Sequence, residues 1–213
     1  MIPKLLWQAT LETLYMTFVS TALAFLIGAG LAIVLVLTRS TGLMPNKAVY
    51  NVLGTLVNTL RSFPFIILMI VLFPLTKAIV GTSIGTTAAI VPLTLGSAPF
   101  IARLIEAALL EVDSGVIEAA KSFGASKSQI IFRVMFVEAL PSIINAVTLT
   151  LIVIVGFTAM AGTIGGGGLG DVAIRYGFQR FRPDIMTYTV LILIALVQII
   201  QSTGDLLYKI TKK

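Results

Sequence analysis

The sequence predicts an all-α, polytopic membrane protein with about five transmembrane helices and one short helical segment outside the membrane. Of the 213 residues, 57% are hydrophobic and 11% are charged, whereas a soluble domain carries roughly a quarter charged residues. The apolar residues form runs of about 20 or more, the length that a helix needs to cross a bilayer. One polar stretch between two of these runs has helical periodicity. We therefore expect a single transmembrane domain in a lipid bilayer over residues 1–213.

The five apolar runs differ in regularity. The first has no charged residue between Glu12 and Arg39, and it is too long for the core of a signal peptide. The second contains Arg61 and Pro64, where it could be divided, but the piece after Pro64 is too short to span the membrane. We therefore keep it as one span. The predicted spans cover residues 14–37, 49–76, 84–102, 139–161 and 185–208.

The distribution of lysine and arginine between these spans predicts the orientation, because cytoplasmic loops are enriched in these residues. Placing the N-terminus outside and the C-terminus in the cytoplasm assigns more of the lysine and arginine residues to the inner segments than to the outer ones. The inner set is then Arg39, Lys47, Arg103, Lys121, Lys127, Arg133, Lys209, Lys212 and Lys213, and the outer set is Lys4, Lys77, Arg175, Arg180 and Arg182. On this topology the loop of residues 111–138, between the third and fourth spans, faces the cytoplasm.

This loop is predicted to contain two short helices. Asp113 or Ser114 is a suitable N-cap for the first helix, and Gly124 is suited to end it. Ser126 and Gln129 have the spacing of a capping box and predict the start of the second helix. The loop is therefore ordered rather than a flexible connection.

The first predicted helix carries an apolar face at helical spacing, which consists of Val116, Ala119, Ala120 and Phe123. The apolar residues of the second helix, Ile130, Ile131, Val134 and Val137, lead into the fourth span. A helix this short is marginal in water unless its apolar face is covered. Two interpretations remain open at this point: the first helix lies on lipid headgroups, or it docks into a groove on a cytoplasmic protein.

Several classes of function are disfavoured. The chain has no cysteine and no histidine, which removes disulfides, thiol nucleophiles, histidine acid–base chemistry and the usual zinc sites. No G-x-x-x-x-G-K-[ST] sequence occurs, so we expect no ATP site on this chain. The acidic residues form no convincing catalytic pair. The net charge of +6 is attributed to membrane topology rather than to nucleic-acid binding. We expect no bound cofactor or metal.

A glycine-rich stretch after the fourth span could be mistaken for a nucleotide site. Gly165, Gly167 and Gly170 satisfy G-x-G-x-x-G, but a dinucleotide site needs a preceding strand, and here a membrane span precedes. We expect either a flexible loop or a turn in which backbones pack closely.

Arg61 and Met160 are the candidate residues for a translocation path or gate. A charge within a span usually faces the protein interior or a water-filled path. We favour a structural role in which Arg61 pairs with a carboxylate or backbone carbonyls, with binding of a substrate carboxylate and snorkelling to the interface as alternatives. Met160 is flanked by small residues and suits a constriction that repacks, although ordinary packing is favoured.

Other residues within the spans are expected to join helices. Glycines let helices approach closely, and polar side chains form hydrogen bonds between them. The glycines are Gly28 and Gly30, and the polar residues are Asn58, Asn145, Gln198 and Gln201.

Two sets of residues resemble a known family. Glu118-Ala119-Ala120, followed after three residues by Gly124, is similar to the "EAA" loop of permease subunits of bacterial ATP-binding-cassette importers. The segments "RSFPFIILM" (61–69), "GTSIGTTAAIVPLTLGSAPFIAR" (81–103), "EALP" (138–141) and "GGGGLG" (165–170) resemble the methionine-importer permeases over roughly residues 10–208. One departure is that Phe136-Val137 stands where the family often has Leu-Pro, and Leu140-Pro141 follows one turn later.

The resemblance implies a membrane subunit of an ATP-driven importer in the bacterial inner membrane. It implies a homodimer of permeases, two ATPase subunits that hold ATP and Mg, and an external binding protein that delivers the small-molecule substrate. The substrate is expected to be methionine, D or L, or a close analogue. The residues implied to contact the ATPase are Glu118, Ala119, Ala120, Phe123 and Gly124. The alternatives are an importer of another small amino acid, and an ATP-independent channel or carrier, which would need no docking helix.

Overall fold

The computed structural model describes residues 2–212, which are helical apart from short connections and contain no strand. The α-helices are α1 (Ile2–Thr38), α2 (Lys47–Ser62), α3 (Phe65–Val71), α4 (Phe73–Val80), α5 (Thr86–Leu110), α6 (Ser114–Ser122), α7 (Lys127–Gln129), α8 (Phe136–Glu138), α9 (Leu140–Thr163), α10 (Gly168–Val172) and α11 (Pro183–Thr211). Two π-helical segments, π1 (Ile130–Met135) and π2 (Ala173–Phe178), join α7 to α8 and extend α10. The all-α prediction is confirmed.

Four helices of the described chain are long and apolar enough to cross a membrane: α1, α5, α9 and α11. The second predicted span, residues 49–76, is divided among α2, α3 and the start of α4, and α2 and α3 are bent by 104° relative to each other. If this pair counts as one span, the number is five. The break lies at Phe63, which is extended with φ −71° and ψ 129° because the ring of Pro64 disfavours a helical residue before it.

Two spans extend well beyond one of their predicted ends. Helix α1 begins at Ile2 instead of residue 14, since the mostly apolar residues before Glu12 continue the helix despite Lys4 and Glu12. Helix α5 continues past residue 102 to Leu110. Its charges do not end the helix because Arg103 and Glu106 pair with each other, with Arg103 Nη1 and Glu106 Oε2 2.6 Å apart.

Helices α1 and α5 form the central packing of the bundle, and small residues line their contact. Gly28 is buried there: a Cβ atom at this position would collide with the side chain of Ile101 and lie 2.9 Å from the carbonyl oxygen of Ala98. The close approach predicted for Gly28 is confirmed. The same prediction is not met within the protomer for Gly30, since no described atom of another helix lies within 4 Å of its Cβ position.

Helix α9 packs against both α5 and α11, and a buried cluster of Met16, Leu93 and Ile154 joins it to α1 and α5. The predicted hydrogen bonds between helices are not made within residues 2–212. Gln201 donates to Asp205 on its own helix, at 2.7 Å. The four predicted polar residues therefore do not join helices within the described part of the chain.

Candidate functional site

The short helix α6 connects α5 to the segment that leads into α9, and its ends are fixed as predicted. The Asp113 carboxylate accepts a hydrogen bond from the backbone N–H of Gly115 at 2.6 Å. Ser126 and Gln129 form both hydrogen bonds of the capping box that starts α7. Side chains of the loop itself therefore satisfy these backbone N–H groups at the starts of α6 and α7.

Gly124 ends α6 in the left-handed conformation, with φ 75°. Its N–H donates to the carbonyl of Lys121 at 2.9 Å, and the N–H of Ala125 donates to the carbonyl of Ala120 at 3.0 Å. These two bonds define a Schellman motif, in which glycine avoids the steric cost that a Cβ atom brings to positive φ. The predicted terminating role of Gly124 is confirmed.

The apolar face predicted for α6 is divided between two directions. Ile117 and Ala120 are half-buried and pack against the buried cluster at the ends of α1, α5 and π1. Val116, Ala119 and Phe123 are exposed, and Phe123 is 91% exposed. Ala120 therefore faces the bundle together with Ile117, which was not part of the predicted apolar face. The remaining residues form an outward apolar edge (Val116, Ala119 and Phe123), and no described residue buries it.

The segment after α6 is anchored by buried residues of π1. Ile130, Ile131 and Met135 are each at most 5% exposed. Of the other apolar residues that lead into α9, Val134 is half-buried and Val137 is exposed. The π-helical segment contains one more residue per turn than an α-helix and so displaces the buried face along the chain.

A cavity of about 210 Å³ lies beside the break between α2 and α3. Arg61 and Phe63 line it from the α2 side, and Phe65, Phe100 and Phe157 complete an aromatic lining. The rings of Phe65 and Phe157 stack with centroids 4.1 Å apart and planes 1° apart. This cavity combines one cation with aromatic surface inside the region of the spans.

Arg61 is exposed and forms no salt bridge within residues 2–212. The favoured structural pairing with a carboxylate is therefore absent from this part of the chain, and Arg61 lines the cavity instead. Met160 is 46% exposed and belongs to the open side of α9, but it does not line that cavity. The structure does not bring Arg61 and Met160 into one site.

The sequence interpretation missed an ion pair within α5, one member of which also forms a hydrogen bond to α2. Arg103 donates to Glu106 at 2.6 Å and, through its other terminal nitrogen, to the carbonyl oxygen of Gly54 at 3.0 Å. Glu106 is only 4% exposed. The signal in the sequence was two opposite charges three residues apart at the end of an apolar run, a spacing that places them together on a helix.

The glycine-rich stretch is a tightly packed turn. Gly165 and Gly168 have φ of 86° and 75°, and the carbonyl of Gly165 accepts a hydrogen bond from the N–H of Gly85 at 3.0 Å. A Cβ atom on Gly167 would lie 2.8 Å from the hydroxyl of Thr86. The close-packed alternative is therefore correct, and the turn joins α9 and α10 to the start of α5.

The fold and these features correspond to a class of transport proteins. Residues 25–212 match the family model described as "Binding-protein-dependent transport system inner membrane component". This match covers most of the chain, so the chain belongs to that family and is a multi-pass membrane component of a transport system.

Individual relatives refine this class. The chain is 57% identical over 205 residues to the "Probable D-methionine transport system permease protein MetI" of Vibrio cholerae, covering 96% of this chain and 91% of that protein. It is 50% identical over 208 residues to the "Methionine import system permease protein MetP" of Bacillus subtilis, covering 98% and 94%.

Solved structures agree with the fold. One structure of the MetNI methionine ABC transporter in an inward-facing conformation matches with a TM-score of 0.97 and 45% identity, covering 98% of this chain and 97% of that chain. A structure of an amino acid ABC transporter with histidines matches with a TM-score of 0.77 at 22% identity, which supports the fold alone.

Proposed function

We propose that this chain is the permease subunit of an ATP-driven methionine importer. The outward apolar edge of α6 carries the proposal, because a capped helix with an almost fully exposed Phe123 is suited to insertion into a groove on another protein. ATP and Mg bind to that partner, and this chain has no enzymatic activity of its own. The methionine transport named for its relatives supports the substrate.

The proposed assembly contains two copies of this chain, two ATPase subunits and an external binding protein. Its likeness to the MetNI transporter supports the first two components, and the family description supports the third. The bundle end that carries α6 faces the cytoplasm, and the N-terminus lies outside. The larger number of lysine and arginine residues on the α6 side supports this orientation.

In this assembly α6 transmits movement of the ATPases to the spans. It contacts the ATPase with Glu118, Ala119, Phe123 and the exposed Gly124 turn, while Ala120 holds it to the bundle. Helix α6 is joined directly to α5, and through buried π1 to α9. ATP binding shifts the permease between conformations because the closed ATPase pair makes better contacts with one of them.

The cavity beside Arg61 supplies contacts for methionine during passage. A guanidinium binds a carboxylate strongly through charge-assisted hydrogen bonds, and the sulfur of a thioether packs favourably against aromatic rings. Arg61 and the stacked Phe65 and Phe157 offer both groups in one cavity. Met160 gates the path from the open side of α9. An importer of another small amino acid would use the same carboxylate contact.

Phe123→Asp tests the docking role. An aromatic residue central to an interface contributes about 2 kcal/mol or more, so we expect the affinity for the ATPase to fall about 30-fold. The tagged chain would be purified from its native membrane in mild detergent, and the co-purifying proteins identified by mass spectrometry. Phe178→Asp, which changes an exposed phenylalanine at the opposite bundle end, should leave ATPase recovery unchanged.

Uptake of labelled methionine then tests the substrate. Loss of both the ATPase and uptake in Phe123→Asp, with wild-type insertion, supports the importer. A chain that co-purifies with no ATPase even after crosslinking would support the ATP-independent channel instead. Retained ATPase without methionine uptake would point to another amino acid.

A further inference from the structure

A second cavity lies at the bundle end opposite α6, where no function has been assigned. It has a volume of about 470 Å³ and separates the first turns of α1 from the connection between π2 and α11. Its lining is apolar on one side and cationic on the other. The apolar residues are Ile2, Leu5 and Ile185, and the cationic residues are Lys4, Arg180 and Arg182.

Two of the three cations are available to a ligand. Arg182 donates to both carboxylate oxygens of Asp184, at 3.0 and 2.7 Å, which raises the pKa of its guanidinium and compensates its charge. The Arg180 guanidinium lies over the ring of Tyr176, 4.5 Å from the centroid. Neither Arg180 nor Lys4 forms a salt bridge within residues 2–212. The cavity therefore carries two uncompensated positive charges.

Aromatic residues place this cavity at the level of lipid headgroups. Trp7 is 65% exposed, and Tyr15 is also exposed two turns further along α1. Tryptophan and tyrosine are enriched at membrane–water interfaces. Lys4 precedes Trp7 by about one helical turn and therefore lies on the same side of α1, further from the membrane centre.

The connection between π2 and α11 has the composition of a segment that rests in this interface. Phe178 and Phe181 are exposed, Phe181 at 87%, and they alternate with Arg180 and Arg182. Phe181 has φ 52°, which is uncommon for a residue other than glycine. Two exposed aromatic rings beside two cations are costly in water and favourable among headgroups and acyl chains.

We propose that this cavity binds the phosphate of an anionic phospholipid. The phosphate lies between Lys4 and Arg180, and the glycerol and first acyl carbons cover Ile2, Leu5 and Ile185. The apolar side of the cavity favours a lipid over free phosphate, because free phosphate has no apolar group to cover this surface. The location beside exposed Trp7 distinguishes it from a site for an acidic protein surface.

Native mass spectrometry of the detergent-purified chain, with its co-purifying partners, tests this proposal. The chain would be titrated with phosphatidylglycerol and with phosphatidylcholine of the same acyl chains, and inorganic phosphate would be added as a competitor. Each Lys or Arg near an anionic lipid contributes about fivefold in affinity. The double substitution Lys4→Gln with Arg180→Gln should therefore weaken binding of phosphatidylglycerol by about 25-fold and change binding of phosphatidylcholine little.

Lys77→Gln is the matched control, because it removes an exposed positive charge from α4 without touching the cavity. It should retain wild-type preference for phosphatidylglycerol. Equal binding of both lipids by the wild type would overturn the proposal, and so would displacement of phosphatidylglycerol by millimolar phosphate. Unchanged lipid preference in the double variant, with weaker capture of the external binding protein, would assign the cavity to that protein instead.

Discussion

The carboxylate of Glu12 accepts a hydrogen bond from the backbone N–H of Gly168 at 2.8 Å, although 156 residues separate them in the chain. The hydroxyl of the next residue, Thr13, accepts from the N–H of Leu169 at 2.9 Å. Helix α10 is only five residues long, so its first N–H groups depend on these acceptors. Helix α1 thus caps α10 and fixes the glycine-rich turn before it.

We predict that Glu12→Ala lowers the stability of the protein by about 1–3 kcal/mol, because it leaves a partly buried N–H without its charged acceptor. Glu12→Gln retains an acceptor oxygen and should cost less. Thermal unfolding of the detergent-purified variants would measure both. Identical melting temperatures for the wild type and Glu12→Ala would show that solvent replaces the cap.

The ion pair of Arg103 and Glu106 gives a second prediction. Glu106→Leu should destabilise the protein by about 3–5 kcal/mol, because it leaves the mostly buried Arg103 without its counter-charge. The double substitution Arg103→Met with Glu106→Leu should recover most of this loss, since neither charge then remains. Chemical unfolding of the three proteins would reveal the recovery. Additive losses would contradict direct coupling of the pair.

Two glycines of α1 form a matched pair for a third prediction. Gly28→Ala should destabilise by about 1–3 kcal/mol because its Cβ atom meets Ile101 and the backbone of Ala98. Gly30→Ala should be neutral or stabilising by up to about 1 kcal/mol, since alanine favours a helix and the site is open. Melting temperatures of the two variants would show the contrast. Equal losses would mean that helix propensity, rather than contact with α5, sets the cost.

Arg61 and Arg39 are compared in a fourth prediction. Arg61→Ala should reduce methionine uptake more than Arg39→Ala, because only Arg61 lines the aromatic cavity beside α3. A lost charge-assisted hydrogen bond costs about 1.5–3 kcal/mol, or roughly 10-fold to 150-fold in transport efficiency. Uptake would be normalised to the amount of inserted protein. Wild-type uptake in both variants would mean that Arg61 is only interfacial.

The Gly124 turn leads to a fifth prediction. Gly124→Pro removes the N–H that binds Lys121 and is incompatible with a φ of 75°. It should abolish uptake while leaving the spans inserted, because buried π1 anchors the chain independently. Glu118→Lys reverses an exposed charge on α6 and should abolish uptake without affecting stability. Normal uptake by well-expressed variants would argue against coupling through α6.

The features readable from the sequence were those set by local chemistry. Apolar length predicted the spans, and Asp113, Gly124 and the Ser126–Gln129 pair predicted the helix ends, since each acts through residues within a few positions. The 104° bend after α2 was not predicted, because Pro64 can kink a helix by many angles. The link from Glu12 to Gly168 depends on tertiary packing and has no local signal.

The site was predictable to a similar extent. Helical spacing placed Phe123 on the apolar face of α6, but the inward position of Ala120 depends on how α6 contacts its own bundle. Arg61 was identified as an unusual charge within an apolar run. Its position among stacked phenylalanines required α3 and α9 to be placed in space.

The π-helical segment between α7 and α8 changes the sequence spacing at which residues share a helix face. The backbone N–H of Phe136 donates to the carbonyl of Ile131, five residues earlier instead of four. The α-helical repeat is therefore shifted by one residue at this point. One residue corresponds to about 100° of rotation around a helix axis. The wide turn of π1 absorbs this extra residue, so deleting one residue there would restore an ordinary α-helical turn and leave the direction of α9 nearly unchanged. The positions of the buried residues along the sequence therefore shift by one at π1, although the spatial path of the helix continues through it.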